Sequence, residues 1–375
     1  MAKALVKTRA KRVRVTPPRP EVGAELRTVD RVIDEAMRDG DLALAAAQAA
    51  RYAALRRASR WYPVPRLDDP ELPARSSPPR MLTPSTLLHD MDQFRYLQEQ
   101  GILGDDFTAV IDQYETVLEQ LAPLGENARV PMSGSIRAEI GHVYNRIVHI
   151  RDTPRVARAF SGSWKGGDVE DEYLGASPNV VVVDDFLSRE AIAELRHFCL
   201  ESTVWLTNRY DFGRLGAFFR DGFNCPLLVQ IAEELRAALP RVIGKRHPLR
   251  QVWGFKYAST QPCLGSHADF AAVNVNFWIT PDDANLDPGG GGLHLYDVPA
   301  PRDWDFDMYN RGGDRIRALL ASMGAEPRHI PYRHNRAVIF DSDLFHATPA
   351  LRFRSGYENR RANVTFLYGD RLNDA

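Results

Sequence analysis

The feature that most constrains this chain is a succession of short runs rich in β-branched and aromatic residues at 251–257, 274–280, 292–297, 337–341 and 363–368, parted by turns rich in Gly, Pro, Asp and Asn. Strands of this length must find partners for their backbone groups, and no helical period fills the gaps in the way that crossovers between parallel strands require. Antiparallel packing into a sandwich or barrel is therefore predicted. Its lead-in is the apolar run at 179–186, followed by Ser188 in position to cap a helix. Pro288-Gly-Gly-Gly-Gly292 is read as the hairpin turn that opens the third run rather than as a phosphate cradle, because no Lys-Ser/Thr follows it.

The earlier sequence has a different texture. At 25–60 good helix formers predominate, with Val29, Val32, Ile33, Ala36 and Met37 at helical spacing. Asp39-Gly40-Asp41 interrupts them, and an Ala-rich stretch at 42–58 resumes, which predicts a helical hairpin. A Pro-, Arg- and Ser-rich stretch at 68–84 predicts a linker or strap, and amphipathic helices are expected at 86–100, 107–121 and 136–150. The expected organisation is α+β: a basic disordered tail at 1–24, a mainly helical region at 25–175 and a β-rich domain at 176–375.

With 48 Lys and Arg against 49 Asp and Glu, the chain has no global field that would draw it to nucleic acid or an anionic membrane. Its apolar runs fall far short of the roughly 20 residues of a membrane helix. No nucleic-acid or membrane partner is expected. The start carries Lys3, Lys7, Arg9, Lys11, Arg12 and Arg14 without an acidic residue or a signal-length apolar stretch. Cys199, Cys225 and Cys263 lack the spacing of a metal ribbon or redox pair, and a cytoplasmic location is expected.

Within the β-rich half, His267 and Asp269 are separated by one residue, a spacing that on a strand turns both side chains to one face. His346 closes the run that begins at Ala337, and Arg361 follows after a turn. Two histidines and a carboxylate make the facial triad of non-haem iron(II) sites, which leaves three adjacent coordination positions open. An arginine fork beyond it suits the distal end of a dicarboxylate. Arg360 and Arg361 compete for that role; Arg361 is preferred because Asn363 and Thr365 then share its face.

In this order and spacing, the residues from about 179 to 370 resemble the 2-oxoglutarate/iron(II) oxygenase superfamily, especially its prolyl-4-hydroxylase-like branch. The resemblance implies a double-stranded β-helix (jelly-roll, cupin-like) catalytic domain with iron(II) on His267, Asp269 and His346. It implies 2-oxoglutarate on Arg361 with Tyr257 and Thr365, and dioxygen as co-reactant. Asp269, retained where halogenating relatives carry a small residue, points to hydroxylation of an unactivated carbon. The expected substrate is an amino-acid side chain in a peptide or protein, or a small biosynthetic metabolite, and a homodimer through the helical region is left open. The alternatives are a cupin-like metalloenzyme without 2-oxoglutarate and a non-catalytic binding or scaffold protein. Asn274 and Asn276 are placed either on a half-exposed strand or on a wall near the metal, and His294 with Tyr296 either in the pocket or away from it. Asp341 and Asp343 are read as turn and strand-end residues, with orientation of His346 as the alternative, and Asp303 to Asp307 as a lid or recognition element or equally as an ordered structural strap.

Overall fold

The structure, a computed structural model, describes residues 20–62, 81–208 and 212–371. Of the basic disordered tail expected at 1–24, residues 1–19 lie outside the described residues and 20–24 are instead the first turn of a helix; most of the predicted linker also lies outside the described residues. Helices α1 (Pro20–Asp39) and α2 (Leu42–Arg57) form the expected hairpin. Gly40 turns it at φ +80°, and the Asp41 carboxylate accepts from the Leu44 amide to cap the second helix. After the short strand β1 (Met81–Leu82), which pairs with β2 (Val130–Pro131), come α3 (Pro84–Glu99), α4 (Asp106–Leu121) and α5 (Gly134–Ile140).

The helix expected at 136–150 ends at Ile140. Asn145 adopts φ +57°, and its side chain accepts from Arg57 and donates to the Leu206 carbonyl. Ile147 forms a parallel bridge with Ala58, and Thr203 Oγ1 takes the Val148 amide. Contacts to distant backbone override an amphipathic pattern that would have continued the helix.

The helical region closes with α6 (Gly166–Gly175), and the β-rich half opens with β3 (Val180–Val183) and α7 (Arg189–Glu201), whose cap is Ser188 as expected. It continues with β4 (Leu215–Phe218), α8 (Pro226–Ala238), β5 (Leu249–Lys256), β6 (Thr260–Gln261) and β7 (Val273–Trp278). Then follow β8 (Leu293–Pro299), α9 (Gly313–Ser322), β9 (Arg328–Ile330), β10 (Ala337–Asp341), β11 (Leu344–Ala347), β12 (Leu351–Arg352) and β13 (Ala362–Tyr368). Helices α8 and α9 were not anticipated. A six-stranded antiparallel sheet runs β3-β10-β7-β13-β5-β4, and a three-stranded sheet runs β11-β8-β9.

Period-2 alternation gives the larger sheet two different faces. Val275, Phe277, Ile339, Val364 and Phe366 join one core with Leu195 of α7, Leu228 and Ile231 of α8, and Ile33 and Ala45 of the hairpin. The opposite face packs Trp278, Val338 and Phe340 against Leu293, Leu295, Ile330 and Leu344 of the smaller sheet, so the two sheets lie face to face. Helices α3, α4 and α5 have a separate core around Phe94, Phe107 and Tyr114. Among the described residues no helix is long and apolar enough to cross a membrane.

Phe277 is fully buried between Phe186, at 5.3 Å between ring centroids, and Phe366, at 6.1 Å. Phe277→Ala should lower unfolding free energy by about 3–5 kcal/mol through lost burial and a residual cavity. Met323→Ala, at a position 58% exposed, should change it by less than about 0.5 kcal/mol. Urea denaturation of both variants checks the packing; equal losses would contradict it.

Candidate metal centre

His267 and His346 are brought together by backbone pairing. The His267 amide donates to the His346 carbonyl at 3.0 Å and the His346 amide donates back at 2.8 Å, an antiparallel bridge near the end of β11. Residues that exchange both bonds sit directly opposite one another with side chains on the same face. The imidazole centroids are accordingly 4.5 Å apart. The segment around His267 is a single bridge rather than the continuous strand its pattern suggested, but Asp269 still returns to the same side, its amide held by the Ser342 carbonyl.

The three ligand atoms lie within 4.8 Å of one another. Asp269 Oδ1 is 4.0 Å from His267 Nε2, and its Oδ2 is 3.5 Å from His346 Nε2. Both separations fall inside the roughly 4.2 Å that two donors about 2.1 Å from one ion can span. His346 Nδ1 lies 3.0 Å from the Leu344 carbonyl, and His267 Nδ1 lies 3.3 Å from that of Gly265. A carbonyl can only accept, so each Nδ1 carries the proton and each Nε2 presents its lone pair inward. Burial first, and then the neighbouring His346, push the His267 imidazole down to about 4 against the pull of Asp269. Burial would raise the Asp269 carboxyl, yet His346, His267 and a hydrogen bond from Asn274 leave it below its ordinary value. A neutral His267 beside an ionised Asp269 suits a divalent cation, which takes its ligands in those states.

The carboxylate is held by two asparagines. Asn274 Nδ2 donates to Asp269 Oδ2 at 2.9 Å, and Asn310 Nδ2 reaches Oδ1 at 3.5 Å while binding the Ala268 carbonyl at 2.8 Å. Asn274 thus belongs to a buried wall beside the site, as one of its two sequence readings had it. Asn310 comes from the insert after β8 and left no signal in the sequence. Asp341 ends β10 and Asp343 lies in the turn after it, as their first reading had it: Asp343 pairs with Arg371, Asp341 accepts from the Asp343 amide, and His346 takes its partner from the Leu344 carbonyl rather than from either carboxylate. His294 and Tyr296 line neither cavity at the site, and the His294 ring packs against His329 instead.

Behind the triad lies a polar chamber, lined by Tyr257, Asn274, Asn276, Arg361, Asn363 and Thr365 among others. Arg361, 2% exposed, has its Nε on the Gly291 carbonyl at 2.6 Å, its Nη1 on Asn363 Oδ1 at 3.0 Å, and its guanidinium carbon 4.4 Å from the Tyr257 ring centroid. The glycine run therefore supplies backbone acceptors to a cation. A Cβ on Gly292 would meet the Ile330 carbonyl oxygen at 2.1 Å. Among the described residues no carboxylate forms an ion pair with Arg361, whereas its neighbour Arg360 points away and pairs with Asp92 of α3 at 2.8 Å. Thr365 Oγ1 donates to Asn276 Oδ1 at 3.0 Å, and Asn363 donates to the same oxygen at 2.8 Å, so the chamber wall is one network. Burial lowers the Arg361 guanidinium, with Tyr257 and Tyr332 opposing. Burial would raise the Tyr257 phenol, but Arg361 and Arg214 leave it below its usual value.

In front of the triad an open cleft of about 640 Å³ leads to solvent, lined by residues including Phe218, Trp253, Phe270, Phe306 and Arg311. The chamber and the cleft meet at His267 and Asp269, so a metal held there would face both.

No family model matches the chain, and no curated protein matches it. Among solved structures, the non-heme alpha ketoglutarate dependent carbocyclase SnoK from nogalamycin biosynthesis is similar with a TM-score of 0.39 and 8% identity, over 56% of this chain and 87% of that chain. HygX from Streptomyces hygroscopicus, with nickel and 2-oxoglutarate bound, gives 0.36 and 13% over 54% and 87%. A Pseudomonas putida prolyl-4-hydroxylase gives 0.32 and 14% over 58% and 99%. Likeness this distant assigns no activity, and the chemistry rests on the side chains themselves.

Removing a hydrogen bond that orients a metal ligand commonly costs 10- to 100-fold in metal affinity. Asn274→Ala should weaken Co(II) binding by about that factor, read by competition with a chelating dye, while Asp269→Ala should abolish it. Unchanged affinity in Asn274→Ala would show that the Asp269 contact does not organise the site.

Proposed function

We propose that this chain is an iron(II)- and 2-oxoglutarate-dependent oxygenase of the prolyl-4-hydroxylase-like type, its two facing sheets forming a double-stranded β-helix. The observation that carries the reading is Arg361: a buried guanidinium without a carboxylate partner among the described residues, at the wall of a chamber that opens onto two histidines and a carboxylate. A buried charge left without a counter-charge is strongly unfavourable. A dicarboxylate reaching from the metal centre to Arg361 would supply the missing charge.

In this reading His267, Asp269 and His346 hold iron(II) on one face, and the inner chamber receives 2-oxoglutarate. Arg361 binds its distal carboxylate, with Tyr257 stacked on the guanidinium and Asn363 fixing the fork. Thr365 and Asn276 complete the polar wall, and Asn274 and Asn310 keep the Asp269 carboxylate turned to the metal. The outer cleft holds the substrate and restricts water at the open positions. Together the bound metal and cosubstrate would supply activation of dioxygen for attack on an unactivated carbon, and the ionised Asp269, occupying the third protein position, favours hydroxylation over halide transfer.

Anaerobic titration of the full chain with iron(II) and 2-oxoglutarate should produce the weak visible charge-transfer band of the chelate. The band should be absent in His267→Ala. In Arg361→Ala it should require about 30-fold more 2-oxoglutarate or more, because one side of a buried charge pair is lost. Arg361→Lys, which keeps charge without the fork, should fall between. Metal binding without a band in folded wild-type protein would favour a cupin-like metalloenzyme that does not use 2-oxoglutarate. No metal binding would favour a non-catalytic binding protein.

A further inference from the structure

The cleft outside the metal centre carries a row of aromatic side chains, two of which, Trp253 and Phe255, also reach the chamber behind it. One wall is a chain of aromatic rings: Phe218 on β4, Trp253 and Phe255 on β5, and Phe270 just after Asp269. Phe218 to Trp253 is 5.9 Å between centroids, Trp253 to Phe255 is 6.1 Å and Trp253 to Phe270 is 6.3 Å. Alternation along β5 sends Trp253 and Phe255 towards the cleft while Val252, Gly254 and Lys256 face the helices. All four rings are only half-buried, so folding leaves a continuous apolar wall open to water within reach of the triad. Contiguous exposed apolar surface of this kind marks a binding site more often than it marks a packing remnant. The insert after β8 brings a further ring, Phe306, 37% exposed, with the Arg311 guanidinium 5.1 Å from its centroid. Asn310 of the same turn ties the insert to Asp269.

Charge narrows the choice of ligand. Among the described lining residues Asp269 is the one carboxylate, and it belongs to the metal centre; Arg214, which bonds to Tyr257, and Arg311, which pairs with Asp307 at 2.8 Å, bring positive charge to the lining. A substrate with an ammonium group would meet cations, whereas a carboxylate, phenolate or quinone oxygen would meet arginine. An extended peptide would look for a free strand edge, but β4, at the rim of the large sheet, is engaged by Thr207, which exchanges two 2.9 Å hydrogen bonds with Gly216. The cleft volume of about 640 Å³ lies within the range that receives drug-sized ligands.

We propose that the molecule acted on at this centre is a flat, fused-ring small molecule bearing an anionic or hydrogen-bond-accepting substituent, seated on the Trp253 wall with Phe306 at the insert side. The proposal rests on the oxygenase reading for what happens to that molecule, but its binding does not require the metal. Calorimetric titration of the full chain with anthraquinone-2-carboxylate tests it, with spermidine and a proline-rich decapeptide as comparison ligands. The three-ring acid should bind, and both Phe306→Ala and Trp253→Leu should weaken it about tenfold or more through lost ring contact. Met323→Ala, on an exposed helix cap, should leave it unchanged. Phe306 is exposed enough that its truncation spares the fold if Trp253→Leu does not. Failure of the acid to bind, binding that both cleft variants leave intact, or preferential binding of spermidine or the peptide would each overturn the proposal. If the iron(II)/2-oxoglutarate band forms while the ring acid does not bind, the substrate class falls and the oxygenase reading stands. If the ring acid binds at the cleft and no band forms, the reverse holds.

Discussion

The chemistry of this molecule depends on two backbone hydrogen bonds, those exchanged by His267 and His346. They set two imidazoles side by side from segments that are remote in sequence, and they do so without a long strand on either side. A one-residue slip in this pairing would turn His346 to the opposite face and dissolve the triad. The register is held from outside the bridge. Asp269 N donates to the Ser342 carbonyl, Ala268 N to Tyr309, and β11 pairs with β8 through a local irregularity between Leu344 and His346. The irregularity matters because β11 must serve the smaller sheet and at the same time present His346 to the cavity between the sheets.

That cavity is expensive to maintain. Sheet faces that meet in an α+β protein are normally closed by apolar side chains, as they are around Trp278, Phe340 and Leu295. Next to that apolar core the same strands place Asn274, Asn276, Arg361, Asn363 and Thr365, all buried. Each would cost stability if left without partners. The network from Arg361 through Asn363 to Asn276 and Thr365 satisfies the side chains against one another and leaves the guanidinium charge as its main uncompensated element. The helices behind the large sheet, packed on Val275, Phe277 and Phe366, provide the apolar burial that offsets this polar interior.

Much of this could be read from the chain because it follows from period-2 alternation. His267 and Asp269 share a side of their segment, Asn274 and Asn276 a side of β7, and Arg361, Asn363 and Thr365 a side of the segment entering β13, and the last two sets meet on the chamber face of the large sheet, so sequence spacing already grouped the residues that the fold converges. The five strand segments of the β-rich half were legible to within a residue or two for the same reason. What escaped was decided by contacts between distant parts of the chain. The pattern at 136–150 is amphipathic, yet beyond Ile140 its backbone amides are taken by the Arg57 carbonyl and Thr203 Oγ1, and the Asn145 side chain by the Leu206 carbonyl. Asn310 sits in an insert whose path is fixed by Arg371 binding the carbonyls of Ala300, Pro301 and Trp304, a tertiary anchor without local signature. The glycine run was legible as a turn, but its service as a carbonyl cradle for Arg361 required the position of β13.

Arg360 and Arg361 show how the helical region and the chamber are linked by one strand. Arg360 closes the short 3-10 turn Tyr357–Asn359 and Arg361 leads directly into β13; the first points outward, where Asp92 of α3 receives it, and the second is buried at the chamber. Next to this pair, Lys256 at the end of β5 is buried against Trp205 and Tyr357 and donates to the Cys199 carbonyl at the end of α7, while Gln93 of α3 binds the Leu200 and Ser202 carbonyls. The helices therefore grip the outer side of the two strands, β5 and β13, whose inner side carries Tyr257, Arg361 and the aromatic wall. A displacement of α3 would be felt first at the start of β13, where the guanidinium is set. On this geometry the helical region packs behind the two strands that bound the chamber, and the insert bearing Phe306 and Asn310 is tied to the site through Asp269 and Arg371.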